Sequence, residues 1–127
     1  MRQAPGASTE RRQRAQRRGQ FAEWLCLWHS RLRGWRILAK GWRCPSGEID
    51  ILARRGRVLA IIEVKSRNQL DAAASALSPR QRRRITRAAE AFLLSRPDLA
   101  RLEPRFDLML VAPLRVPRHW PGAWRVD

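Results

Sequence analysis

The sequence is short of several things, and each shortage removes a class of protein. It holds two cysteines, Cys26 and Cys44, without CxxC spacing. Disulfide scaffolds, zinc motifs and thiol redox motifs are therefore not signalled, and both thiols read as small packing residues in a reducing cytoplasm. His29 and His119 are isolated and read as packing or surface groups. No run reaches the ~18 apolar residues that a membrane-spanning helix needs. The opening segment, MRQAPGASTERRQRAQRRGQ, lacks the apolar stretch of a secretory signal. No internal repeat is visible. Lysine is scarce too: of 27 basic residues, only Lys40 and Lys65 are lysine. This arginine bias weakens any argument from a single arginine and strengthens one from a lysine.

What is present suits one domain of 127 residues with 44% hydrophobic content. A chain of this size buries roughly two-thirds of its unfolded surface, enough to fold without disulfides or metal. The formal net charge of +16 points to a polyanion, because each neutralised phosphate releases condensed counterions. No segment pairs a basic face with a membrane-seeking apolar face, so nucleic acid is the expected partner and a membrane is not. Residues 1–18 read as a flexible basic tail, 19–113 as the folded domain and 114–127, with its prolines, as an irregular tail.

A helix is expected over part of residues 10–33, its secure section being 19–33, with Phe21, Leu25, Trp28 and Leu32 as its apolar stripe and Gly34 as its stop. Residues 35–39 read as a strand and 40–47 as a loop. Two β-like runs follow, 48–53 and 58–66, rich in Ile and Val. A four-residue turn, Arg54-Arg55-Gly56-Arg57, would pair Glu48 with Glu63 and Asp50 with Ile61. Alternation then puts Glu48, Asp50, Glu63 and Lys65 on one face with Leu52, Leu59 and Ile61. Ile49, Ile51, Ala53, Val58, Ala60, Ile62 and Val64 take the other face. Both faces are apolar, so the sheet should be covered on both sides. Residues 67–77 read as a linker. Ser78-Pro79-Arg80-Gln81 carries the cap, first-turn proline and capping box of a helix that runs to about Ser95. Arg80, Arg83, Arg84 and Arg87 form a basic stripe opposite its apolar face. Arg105 to Ala112 reads as a last strand.

The chemistry lies in the hairpin. Three carboxylates crowd one end, and a like-charge pair across strands destabilises a sheet unless a raised pKa or a cation compensates. Hard oxygen donors at this density suit Mg²⁺ or Mn²⁺. Lys65 points to the same side and adds a fixed positive charge. Together these groups suit phosphodiester hydrolysis, with a metal among the carboxylates polarising the phosphoryl oxygen and activating water, and Lys65 orienting that water or stabilising charge at phosphorus. The bland alternative is a fringe of charges on a sheet, with Glu63 and Lys65 a surface ion pair.

Gly47-Glu48-Ile49-Asp50-Ile51-Leu52-Ala53 and Ile62-Glu63-Val64-Lys65-Ser66-Arg67 resemble the hallmark of the bacterial YraN family. Glu23, Gly34, Ile37-Leu38, Trp42-Arg43 and Arg105-Phe106-Asp107 also fall where that family's pattern expects them. Gln81 departs from it, standing where the family often carries lysine. The resemblance implies a restriction-endonuclease-like α/β fold, a central mixed β-sheet flanked by helices, and a PD-(D/E)xK site similar to that of archaeal Holliday junction resolvases. It implies Asp50 and Glu63 as metal ligands, Lys65 as the catalytic lysine and Glu23 as a further acidic group. Arg43 and Arg67 join the arginine stripe as expected nucleic-acid contacts. The expected activity is a cytoplasmic Mg²⁺- or Mn²⁺-dependent nuclease acting on structured or branched DNA, with a homodimer by analogy. The rival expectations are a non-catalytic nucleic-acid-binding module of the same fold and a structural partner protein.

Overall fold

In the computed structural model, residues 7–66 and 77–125 are described, with side chains described from residue 19 onward. The order is α1 (Ala7–Leu32), β1 (Arg36–Cys44), β2 (Gly47–Arg55), β3 (Val58–Ser66), α2 (Pro79–Ser95), β4 (Glu103–Val111) and β5 (Arg118–Trp124). The strands form one mixed sheet in the order β1-β2-β3-β4-β5. Only β3 and β4 are parallel, because α2 carries the chain back across the sheet between them. Among the described residues no helix is long and apolar enough to cross a membrane.

The sheet is covered on both sides, as two apolar strand faces require. One cluster joins Leu52, Leu59, Ile61, Leu108 and Leu110 to Ile85, Ala88, Ala89 and Phe92 of α2. Trp42 of β1 closes on Phe92 with rings at 84° and centroids 5.4 Å apart. The other cluster joins Ile51, Ala53, Ala60, Ile62 and Met109 to Ala22, Cys26 and Leu27 of α1. At the start of α2, Ser78 accepts from the Gln81 amide while the Gln81 side chain accepts from the Ser78 amide. That reciprocal cap is the capping box expected from the sequence.

Several local expectations are corrected. Helix α1 begins at Ala7, inside the segment expected to be a basic tail, because Arg, Gln, Ala and Glu are all good helix formers. Its buried stripe is the small one, Ala22, Cys26 and Ser30, while Phe21, Trp28 and Leu32 are exposed and Leu25 is half-buried. Small side chains let the helix sit close to Ala53 and Ala60. Strand β1 runs through most of the expected 40–47 loop, since Gly41 takes a positive φ of 59° that absorbs an irregularity without ending the strand. The expected irregular tail contains β5. The 67–76 part of the expected linker lies outside the described residues.

Strand β5 is tied down by a buried carboxylate. Asp107 has no exposed surface, and it accepts two bonds of 2.8 Å from Arg105 and one of 2.9 Å from the Gly122 amide. His119 Nε2 lies 2.7 Å from its Oδ2. Burial pushes the Asp107 carboxyl up, but the bonds from His119, Arg105 and Gly122 outweigh it and hold the group below its ordinary range. Asp107→Ala strands Arg105 and the Gly122 amide, and it should cost about 3–5 kcal/mol in urea denaturation at neutral pH. Because the folded-state pKa is depressed, the carboxylate's own contribution is present above the unfolded value and vanishes as pH falls below it. The gap between wild type and variant should therefore narrow below about pH 4.

Candidate active site

The hairpin turn is two residues, Gly56 and Arg57, and not four. Arg54 and Arg55 continue β2, pairing with Leu59 and Val58. Gly56 supplies a φ of 60° at the tight turn. The register therefore moves by two residues from the expected one: Leu52 faces Ile61 and Ile51 faces Ile62. A shift of two keeps every side chain of β3 on its expected face but changes which acid meets which. One further step along this register sets Asp50 level with Glu63, in place of the expected pair of Glu48 and Glu63.

The β2–β3 ladder stops at Ile51 and Ile62. Past it, the Val64 amide donates to Asp50 Oδ2 at 2.8 Å. The Asp50 side chain thus occupies a position that a backbone carbonyl would hold in a continued ladder, and its carboxyl is pinned between the strands. The side-chain alternation of β2 is interrupted at the same point. Ile49 packs with Leu52 on the α2 side, although it was expected beside Ile51, which packs on the α1 side. Gly41, the left-handed residue of β1, lies between the pairs Lys40–Ile51 and Trp42–Ile49, opposite Asp50.

Glu63 is 9% exposed and hydrogen-bonds the Asp50 carboxyl. Burial, the Asp50 charge and that shared bond push Glu63 up to about 9, with Lys65 pulling the other way. Asp50 is also raised, chiefly by burial, against the Val64 amide, Glu63 and Lys65. A proton on Glu63 would relieve the repulsion between the two carboxyls. Glu63 Oε2 is buried with no hydrogen-bond partner. An orphaned carboxyl oxygen beside a second carboxyl is a donor set that a hard divalent cation satisfies. Among the described residues no group of three His, Cys, Asp or Glu gathers to hold a metal. Two carboxylates are what Mg²⁺ commonly takes from protein, with water and substrate phosphate completing the shell.

The other expected groups divide around this pair. Lys65 and Glu63 open on a cleft of about 220 Å³ under α2, together with Glu48, Gln81 and Arg84. Gly47 makes that closeness available, since a β-carbon there would stand 3.1 Å from the Arg84 carbonyl oxygen. Glu48 is exposed and pairs with Arg43 at 3.3 Å. Glu23 approaches from α1: burial, then Asp50 and Glu48, raise its pKa, with Lys40 opposing them. Of the arginine stripe, Arg84 faces the cleft, whereas Arg83 and Arg87 lie toward Trp124 and Arg125 of the β5 end. Arg80 is exposed, and Arg67 lies outside the described residues. Cys26 is fully buried, and burial, then Asp50 and Glu23, push its thiol up to about 12, which disfavours the thiolate. Gln81 and Arg84 as cleft walls, and Asp107 as a buried anchor, were not legible as such. A polar residue on a helix signals its face only when the opposing strand is known.

The carboxyl pair predicts a pH dependence. Glu63 has a folded-state pKa above its unfolded one, so the native state binds the extra proton between about 4.5 and 9. The Glu63 contribution to stability is then fully present below about 4.5 and is lost as pH rises through that window, by at most about 1.4 kcal/mol per unit. Metal-free Glu63→Gln should be more stable than wild type at pH 8, with a flatter profile. Chemical denaturation across pH 4 to 9 checks this, and parallel profiles for the two proteins would contradict it.

Comparison with known proteins matches residues 22–111 to the model of a family described as uncharacterised protein family UPF0102. The matched span contains Glu23, Glu48, Asp50, Glu63 and Lys65. A UPF0102 protein of Paramagnetospirillum magneticum is 55% identical over 119 residues, 91% of this chain and 92% of that protein. One from Parvibaculum lavamentivorans is 50% identical over 111 residues, 87% and 84% of the two chains. One from Rhodopseudomonas palustris strain BisB18 is 46% identical over 121 residues, 95% and 90% of the two chains. With a mixed sheet between two helices and the hallmark segments at its centre, the chain belongs to UPF0102, the YraN family.

Proposed function

We propose that this protein is a metal-dependent nuclease that hydrolyses phosphodiester bonds, with structured or branched DNA as its substrate. One observation carries the reading. Glu63, buried and with one unsatisfied oxygen, is held against the half-buried Asp50 and opens with Lys65 on a cleft walled by Arg84.

Asp50 and Glu63 are the residues that would hold Mg²⁺ or Mn²⁺. When bound there, such an ion supplies Lewis acidity and a more acidic water. The chain's own groups do the rest. Asp50 is fixed at Oδ2 by the Val64 amide, so its carboxyl keeps one direction. Glu63 gives up its proton to the solvent as positive charge arrives. Lys65 holds a compact ammonium next to the pair, where charge develops on a scissile phosphate. Arg84, on the opposite wall, suits an adjacent phosphate. Glu23 and Glu48 add negative potential around Asp50 without joining the pair.

Asp50→Asn should abolish cleavage while leaving the fold intact. Lys65→Ala should slow cleavage by at least about a hundredfold with little change in DNA affinity. Lys65→Arg should not restore the rate, because a planar guanidinium does not replace an ammonium close to two carboxylates. These variants and wild type belong in one panel of duplex, single-strand, flap and four-way-junction DNA with Mg²⁺ and Mn²⁺. Wild type cleaving no substrate faster than Asp50→Asn would sink the enzyme reading, and retained binding would then favour a non-catalytic nucleic-acid module.

A further inference from the structure

Helix α1 presents an aromatic stripe that the fold does not use. Phe21, Trp24 and Trp28 are 59%, 53% and 48% exposed, and none belongs to either core cluster. Their spacing of three and four residues places them on one side of the helix. Phe21 and Trp24 stack at 6.0 Å, Trp28 stands edge-on to Trp24 at 6.3 Å, and the Arg31 guanidinium lies 5.6 Å from the Trp28 ring centre. Two half-exposed indoles and a phenyl in succession form a large apolar patch, and such patches mark binding sites.

The stripe borders a groove of about 800 Å³ whose walls include Phe21, Leu25, Val111 and Leu114. Leu114 is fully exposed on a backbone with φ of 58°, a strained conformation for a leucine that also spends apolar surface on water. Ala22 and Ser66 line the same groove. They are sequence neighbours of Glu23 and Lys65, so the groove lies across the sheet from the cleft, at the same end of β3. Lys65 faces the cleft on the α2 side, and Ser66 faces the groove on the α1 side.

We infer that this face receives an unpaired nucleic-acid strand, with bases stacked on Phe21, Trp24 and Trp28 while the backbone runs on to the carboxyl pair. The inference rests on the nuclease reading and narrows its substrate to one with unstacked bases at the cleavage point. Charge selects this occupant over a second copy of the chain. Two copies would bring formal charges of +16 together, whereas a phosphate backbone is complementary to them. Arg31, Arg33 and Arg115 are exposed around the stripe and groove, and the nearest carboxylate on α1, Glu23, turns inward toward Asp50. Exposed rings interleaved with arginine are the usual platform for single strands, because every base has a π face.

The test uses the full chain without metal, so that binding is read without cleavage. Fluorescence anisotropy of a labelled single-stranded oligonucleotide of about 12 nucleotides and of the matching duplex is followed together with tryptophan emission. Wild type should bind the single strand with quenching of tryptophan. Trp24→Ala combined with Trp28→Ala should weaken that binding at least about tenfold, one stacked base being worth about that much, and leave duplex affinity within about twofold. Trp24→Phe with Trp28→Phe should retain most of the single-strand affinity at an unchanged Tm. Equal loss on single strand and duplex, or no loss on either, would overturn the inference while leaving the nuclease reading to the cleavage panel. A dimer in sedimentation that the alanine pair turns into a monomer would overturn it in favour of self-association. Absence of binding to any nucleic acid would end both readings.

Discussion

Two carboxyl groups that would repel each other in water are held in contact inside this sheet, and most of the structure exists around that contact. Asp50 and Glu63 meet where the β2–β3 ladder ends, with apolar cover on both sides of the sheet. Burial and mutual repulsion push Glu63 up, while the Lys65 charge opposes them on both groups. The surrounding groups follow from it. Small residues on α1 bring Glu23 within electrostatic reach of Asp50, and Gly47 lets α2 close over Glu63. A cluster of like charges in a buried place is costly to stability, and that cost is typical of sites whose chemistry needs it.

The second buried carboxylate makes the contrast plain. Asp107 is as deeply enclosed as Glu63, yet three partners making four contacts satisfy it, and its pKa falls where that of Glu63 rises. Asp107 fastens β5 to β4 and gives no sign of reactivity. Partner count, and not burial, separates an anchor from a site.

Much of this was legible in the residues. The hairpin, the capped α2, the two-sided sheet and the shared face of Glu63 and Lys65 follow from β-rich runs and period-two alternation, because parity on β3 survives a register shift of two, whereas Asp50 stands where the alternation of β2 breaks. What was not legible depended on tertiary partners. The turn length hinged on whether Arg54 and Arg55 pair, which their type does not decide. The interrupted alternation that separates Ile49 from Ile51 comes from a side chain taking a backbone position. The aromatic stripe of α1 read as core by spacing alone, but the neighbouring sheet accepts only the smaller face. The prolines and arginines after 113 hid β5, whose place depends on Asp107, distant in sequence from Gly122.

If the carboxyl pair is the proposed cation site, a metal ion must displace a proton to bind there. Calorimetric titration of Mn²⁺ at pH 7, repeated in buffers of different ionisation enthalpy, counts the protons released on binding. With Glu63 pushed up to about 9, wild type should release about one proton per metal, and Asp50→Asn should bind far more weakly. Binding without proton release, or with equal affinity in Asp50→Asn, would contradict the account.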